Sequence, residues 1–213
     1  MIGRYGKRHT TGSMVLLALL SCAPLGAQDR MPPIPAGNMT EAQKKAAAEF
    51  AAVRNAAPTG PFGVLLRVPE LMDLGFRWRQ HVQFRSALDQ RLTEFVILMS
   101  ARHWTQQYEW NAHAPAAIKA GLEPEIIAAV ADGRRPDHMA EDEAILYDLC
   151  MELQRNHSVS DATYARALAK FGEAGIVEAA STAGYYMLLA MVMNTARTPL
   201  PAGEKPPLPA FPY

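Results

Sequence analysis

The stretch from Glu94 to His113, EFVILMSARHWTQQYEWNAH, sets the strongest limit on what this chain can fold into. Around Glu94 the residues Leu92, Phe95, Val96, Ile97, Leu98, Met99 and Ala101 leave almost no polar face, so a helix here is buried on most sides. That helix carries Glu94 inward, and a buried acid needs a partner. Glu109 and His113 supply one, because residues at i and i+4 share a helix face and lie within reach of each other. Such pairs are common by chance on helix surfaces. The buried acid sets this one apart from that background.

Two carboxylates and an imidazole can do general acid and base chemistry. Burial raises a carboxylate pKa, a nearby carboxylate raises that of histidine, and both move toward neutral pH. The expected roles are His113 as proton shuttle, Glu109 as the group that orients it, and Glu94 as a second acid or base. Tyr108, Gln106 and Trp110 on the same stretch, with Tyr185 from the last helix, are the candidate substrate contacts. Aromatic residues at such positions often serve only as core. Glu94, Glu109 and His113 could also offer ligands to a divalent ion, but their spacing is not diagnostic, and no metal or cofactor is assigned.

The same residues carry a family likeness. Glu94, Glu109 and His113 are spaced as in the active-site region of the carboxymuconolactone decarboxylase and AhpD-like family, whose peroxidase branch has a C-x-x-C motif between its glutamate and histidine. Here the two cysteine positions fall on Gln106 and Glu109, and the family histidine on His113. The decarboxylase branch likewise has a glutamate at the second thiol position. The segments ARHWTQQYEWNAH, AGLEPEIIAAVADGRRP and VEAASTAGYYMLLAMVMNTARTPLP resemble a thiol-free subgroup, so the resemblance covers roughly residues 60–201. It implies an all-α, AhpD-like helical arrangement that is commonly oligomeric, hence a homo-oligomer.

With 213 residues, the chain suits one domain with a core that needs no disulfides. Its 21 basic residues balance 21 acidic ones, which gives no reason to expect nucleic acid as a partner. Arg4, Lys7 and Arg8 precede an apolar run from Met14 to Leu20, followed by small residues. That order reads as a secretory signal, too short to span a bilayer, with cleavage expected after Ala27 and a periplasmic or secreted product. A competing reading takes Leu19-Leu20-Ser21-Cys22 as a lipoprotein signal, with a lipid anchor on Cys22. Without residues 1–27 only Cys150 remains, so no intrachain disulfide can form; its apolar surroundings, Ile145, Leu146, Leu149 and Leu153, mark it as a core thiol.

Residues 28–39 are proline-rich and read as a linker to a helical domain over residues 40–200. Thr40 and Gln43 form a capping box for an alanine-rich helix reaching Asn55. Pro58-Thr59-Gly60-Pro61 breaks the chain, and Pro69 starts a helix to about Phe84 with Leu71, Leu74, Trp78 and Val82 as its apolar face. His81 on this helix reads as a packing or surface residue. The central stretch predicts helices over 90–102 and 105–120, with a kink after His113 where Pro115 removes a donor. Pro124 opens a helix to about Ala131. Arg134 and Arg135 beyond it read as solvated loop residues. Helices over 140–156 and 160–171 follow. The last helix, 173–195, is apolar on every side; its small residues favour a buried core helix over a membrane span. The tail, residues 201–213, carries Pro201, Pro206, Pro207, Pro209 and Pro212 and is expected to be extended, in a position to lie across a neighbouring subunit. No strand pattern or internal repeat emerges.

The function expected is a cofactor-free acid/base enzyme, a decarboxylase, isomerase or lactone-processing protein, acting on a small carboxylated or lactone-like molecule. Thiol peroxidase activity, the family's other label, needs an attacking and a resolving thiol, which Gln106 and Glu109 cannot supply. A non-catalytic binding or assembly protein is the remaining alternative.

Overall fold

The computed structural model describes Met1 and residues 29–209. The segment predicted as a signal peptide, with Cys22 in it, otherwise lies outside the described residues, as do the last four residues of the tail. The described residues form eight helices and no strand: α1 (Glu41–Arg54), α2 (Gly60–Leu65), α3 (Pro69–Phe84), α4 (Gln90–His103), α5 (Gln107–Lys119), α6 (Pro124–Ala131), α7 (Glu141–Asn156) and α8 (Asp161–Ala196).

α4 is the centre. Asp89 caps it by accepting from the Leu92 amide at 2.8 Å, and Arg91 ties its first turn to Asp142 and Glu143 at the start of α7. Every residue from Leu92 to Arg102 is buried, because α5, α6, α7 and α8 surround the helix. Its two apolar faces serve two cores. Phe95, Val96, Leu98 and Met99 join Leu146, Leu149 and Cys150 on one side. Ile97 joins Tyr185, Tyr186, Leu189 and Met193 on the other. Each such side chain, removed from water, contributes roughly 1.5–3 kcal/mol.

The helix signals in the sequence act as expected. Thr40 and Gln43 close a capping box on α1, Pro69 and Pro124 begin α3 and α6, and Gly121 ends the turn after α5 with φ +95°. Ser160 caps α8, whose run is interrupted at Gly172 (φ +65°, ψ 178°), where the two predicted helices meet. Past that break α8 is long and apolar enough to cross a bilayer. In the structure one of its faces, including Ala179, Ala183, Tyr186 and Met193, packs in the core, while Val177 and Met191 are exposed.

Three expectations need correction. Pro58 to Pro61 does not only break the chain, because Pro61 sits in the first turn of the short helix α2, whose Phe62 and Leu65 are buried. The apolar stripe expected on α3 holds only in part: Val82 is buried and the half-exposed Trp78 packs against Tyr185, but Leu71 and Leu74 are exposed, and Met72 and Gly75 face the core. Spacing located the stripe but could not say how far round the helix its neighbours reach. α5 (Gln107–Lys119) holds Pro115 inside it, two residues past His113.

The tail is the third case. It folds back onto its own chain, where Leu208 is buried against the core and its amide and carbonyl both bond to the Gln107 side chain at 2.9 Å. Arg102 adds a bond to the Pro209 carbonyl at 2.9 Å. The opposite end is tethered too, with the Arg30 amide donating to the Ala196 carbonyl at 2.8 Å. Leu208→Ala should therefore lower the unfolding free energy by about 2 kcal/mol in a urea titration. Unchanged stability would mean that the tail does not dock.

Candidate active site

The site forms where α4 turns back into α5. Thr105 makes that turn with φ +45°, a left-handed conformation that is costly for a β-branched residue. Neighbouring bonds hold it. Gln106 caps α5 by accepting from the Tyr108 amide at 2.7 Å and donates to Asn194 at 2.8 Å, while Asn194 donates to the Trp104 carbonyl at 3.1 Å. With the turn fixed, the inner face of α4 opposes the first turns of α5.

His113 sits between the two carboxylates. Its Nδ1 lies 2.7 Å from Glu94 Oε2, and its Nε2 lies 3.5 Å from Glu109 Oε2. The closer partner thus comes from α4, and the i,i+4 partner is the more distant one. Glu94 is only 2% exposed and is held in place, accepting from Gln90 Nε2 at 2.9 Å and Gln83 Nε2 at 3.5 Å. Gln83 also donates to the Tyr186 hydroxyl at 3.1 Å, and the Tyr186 ring meets the imidazole edge-on at 5.0 Å. The histidine ring is therefore anchored through Nδ1 and wedged from the side, with Nε2 turned toward Glu109.

Glu109 differs from Glu94 in one respect that matters. It is as deeply buried, but its Oε1 has no hydrogen-bond partner. Burial pushes its carboxyl up to about 7, with Glu94 adding to the rise and His113 and Arg79 opposing it. A carboxyl group titrating there can give or take a proton under ordinary conditions. Glu109 lines a cavity of about 180 Å³, shared with His113, Tyr108, Tyr186, Arg54 and Arg79.

The two arginines were not legible as site residues. Arg54 ends α1, and Arg79 lies mid-way along α3, where it donates to the amide oxygens of Gln80 and Gln83 and stacks over the Phe84 ring. Neither forms an ion pair among the described residues. Burial first, and then the positive charge of Arg79, hold the Arg54 guanidinium below the usual arginine pKa. Two like charges facing one small cavity mark a place for an anion. Gln90 was also missed, although its i,i+4 relation to Glu94 was a visible signal; of Tyr185 and Tyr186, both of which the sequence offers as pocket tyrosines, Tyr186 lines the cavity.

The candidate contacts separate. Tyr108 lines the cavity, as well as a larger apolar one of about 330 Å³ beside Pro199 and Pro201. Gln106 is the helix cap, Trp110 belongs to the core around α4, and Tyr185 is fully buried against Trp78, so these three stand outside the cavity lining. His81 pairs with Glu178 of α8 at 2.5 Å and does not line the cavity. Cys150 is buried, and burial pushes its thiol up to about 12, far from the thiolate that peroxide chemistry needs. Glu94 and Glu109 face opposite nitrogens of His113 and do not converge on one point. Among the described residues no group of three or more His, Cys, Asp or Glu side chains is arranged to hold a metal ion.

The model of the carboxymuconolactone decarboxylase family matches residues 69–145, from the start of α3 into α7, and so includes Glu94, Glu109 and His113. That segment is similar to the carboxymuconolactone decarboxylase family. No curated protein matches the chain. Arg79 of the cavity falls inside the family segment, while Arg54 and Tyr186 reach the cavity from α1 and α8, outside it.

Proposed function

We propose that this protein is a cofactor-free acid/base enzyme acting on a small carboxylated or lactone-like molecule. The observation that carries this reading is Glu109, whose buried carboxyl is pushed up to about 7 and which lines a cavity shared with two arginines that form no ion pair among the described residues. Glu94 fixes the imidazole through Nδ1. Glu109 and His113 Nε2 then exchange a proton with the substrate, and Arg54 and Arg79 hold its carboxylate. This arrangement gives the orienting role to Glu94 and the titrating role to Glu109.

Decarboxylation by this route breaks a C–C bond and leaves its electron pair on carbon, so the substrate must delocalise it into a carbonyl or lactone; Glu109 or His113 then protonates the carbon. Isomerisation would move a proton between two carbons with the same pair. Lactone opening would use it to activate water. Peroxide reduction finds no support, since neither family thiol position carries sulfur.

A panel of unsaturated lactone carboxylates and β-keto acids tests the reading. With the first substrate found, Arg79→Gln should raise KM about tenfold or more with little change in kcat, since a charge-assisted hydrogen bond contributes roughly 1.5–3 kcal/mol. An unchanged KM in both Arg79→Gln and Arg54→Gln would contradict the carboxylate assignment. We further propose export, a homo-oligomer, and α8 as a core helix and not a membrane span. Mass spectrometry of the exported protein should find a first residue at Gln28. Acylated Cys22 would replace that with a lipoprotein, and an intact cytoplasmic chain would contradict both.

A further inference from the structure

A second cavity lies away from the acid/base site and shares no residue with it. It is larger, about 250 Å³, and it forms where the end of α4, the loop after α6 and one face of α7 come together. Its floor is apolar: Met99, Val130 and Tyr147, all buried, with Met151 beside them. Its rim is basic: Arg102, His103, Arg134 and Arg155. No carboxylate lines it.

The chain builds this contrast at helical spacing. On α7, Tyr147, Met151 and Arg155 follow one another at i, i+4 and i+8, so one stripe runs from an aromatic ring through a thioether to a guanidinium at the mouth. On α4, Met99 and His103 repeat the pattern at i and i+4. Gly133, with φ +73°, turns the chain out of α6 and sets the two arginines on different tasks. Arg135 stacks over Tyr147 at 5.0 Å and pairs with Asp148. Arg134 is left to the cavity. The pair that reads in the sequence as solvated loop is divided between a structural residue and a cavity residue.

Among the described residues Arg134 pairs with the loop carboxylates Asp132 and Asp137, each at 3.6 Å, contacts that an incoming anion could replace. Arg155 makes no ion pair among the described residues. Partial burial, then Arg155 and His157, hold the His103 imidazole below the usual histidine pKa, as expected where the local potential is positive. A rim of guanidiniums over an apolar floor recognises a particular shape of molecule. The guanidinium fork matches a carboxylate or phosphate, and the floor takes an apolar body out of water.

We propose that this cavity is a second binding site, for a small amphipathic organic anion that carries one carboxylate or phosphate group on an aromatic or compact apolar body. Its place among α4, α6 and α7 joins it to the acid/base site through α4 alone. Its occupancy does not depend on the reaction proposed above.

Isothermal titration of the mature protein with phenyl phosphate and with 3-phenylpropionate tests it, with inorganic phosphate as charge without a body. Both aromatic probes should bind more tightly than inorganic phosphate. Arg155→Gln and Arg134→Gln, both at exposed positions that leave the core intact, should each weaken binding about tenfold, the loss expected for one charge-assisted hydrogen bond. Arg54→Gln and His113→Gln should leave it unchanged. Four results would overturn the proposal: no binding of either aromatic probe, inorganic phosphate binding as well as they do, binding indifferent to both Arg155→Gln and Arg134→Gln, or binding lost in Arg54→Gln, which would place the probes in the acid/base cavity.

Discussion

His113→Gln should cost turnover a hundredfold to ten-thousandfold, about the range for removing a positioned acid or base, and leave the fold intact. The geometry gives the reason. His113 bridges the two carboxylates, with Nδ1 on Glu94 and Nε2 toward Glu109, so its ring is the direct link between the buried acid of α4 and the cavity. Glutamine can still donate an amide hydrogen to Glu94, and Gln83 and Gln90 keep their own bonds to that carboxylate, which prevents an abandoned buried acid. The loss should fall on kcat, with circular dichroism and the urea midpoint close to wild type. Glu94→Gln is the companion test. It keeps the shape and removes the anchor charge, so its effect should be smaller and should shift the pH profile. A folded His113→Gln protein with full turnover would remove His113 from the mechanism.

Glu109→Gln should also lose turnover, and it should gain stability above neutral pH. The sign follows from the direction of the shift. The carboxyl titrates at 4.5 when unperturbed and is pushed up to about 7 by burial in the folded chain. A raised carboxyl pKa means that the folded state favours the protonated form. Wild-type stability is therefore fully present below the unfolded pKa, falls between about pH 4.5 and 7, and stays reduced above that window, by about 3 kcal/mol for a shift of this size. Glutamine has the same shape and cannot ionise. The two proteins should have similar urea midpoints near pH 4.5, and the variant should be the more stable at pH 8. This pairing of lost activity with gained stability separates a site residue held at a cost from a residue that only supports the fold. Equal pH dependence in both proteins would show that Glu109 is ionised without penalty.

Much of this was open to sequence reasoning because it is local. The capping box at Thr40, the prolines at 69 and 124, the cap at Ser160 and the glycine at 121 act within one turn of themselves, and each element begins or ends where its signal stands. The apolar run around Glu94 was similarly decisive, since a helix without a polar face has only the interior to occupy. What stayed hidden depends on which elements meet. Arg54 and Arg79 look like ordinary surface arginines until α1 and α3 bring them to one cavity. The α3 stripe placed Val82 in the core, but not the exposure of Leu71 and Leu74 or the burial of Met72 and Gly75. Tyr185 and Tyr186 are adjacent in the chain and differ only in which of them the turn of α8 presents to His113. Leu208 sits among prolines that signal an extended tail, and only the docked structure shows that its side chain fills a gap beside α5.

The central claim is that Glu109 carries a proton that comes and goes near neutral pH, beside an imidazole fixed by Glu94. A nuclear magnetic resonance titration of the glutamate side-chain carboxyl carbons reads this directly, with Glu109 assigned by its absence in Glu109→Gln. The predicted result is a Glu109 midpoint near 7, well above its unperturbed value of 4.5. A Glu109 midpoint at the ordinary carboxylate value would contradict it.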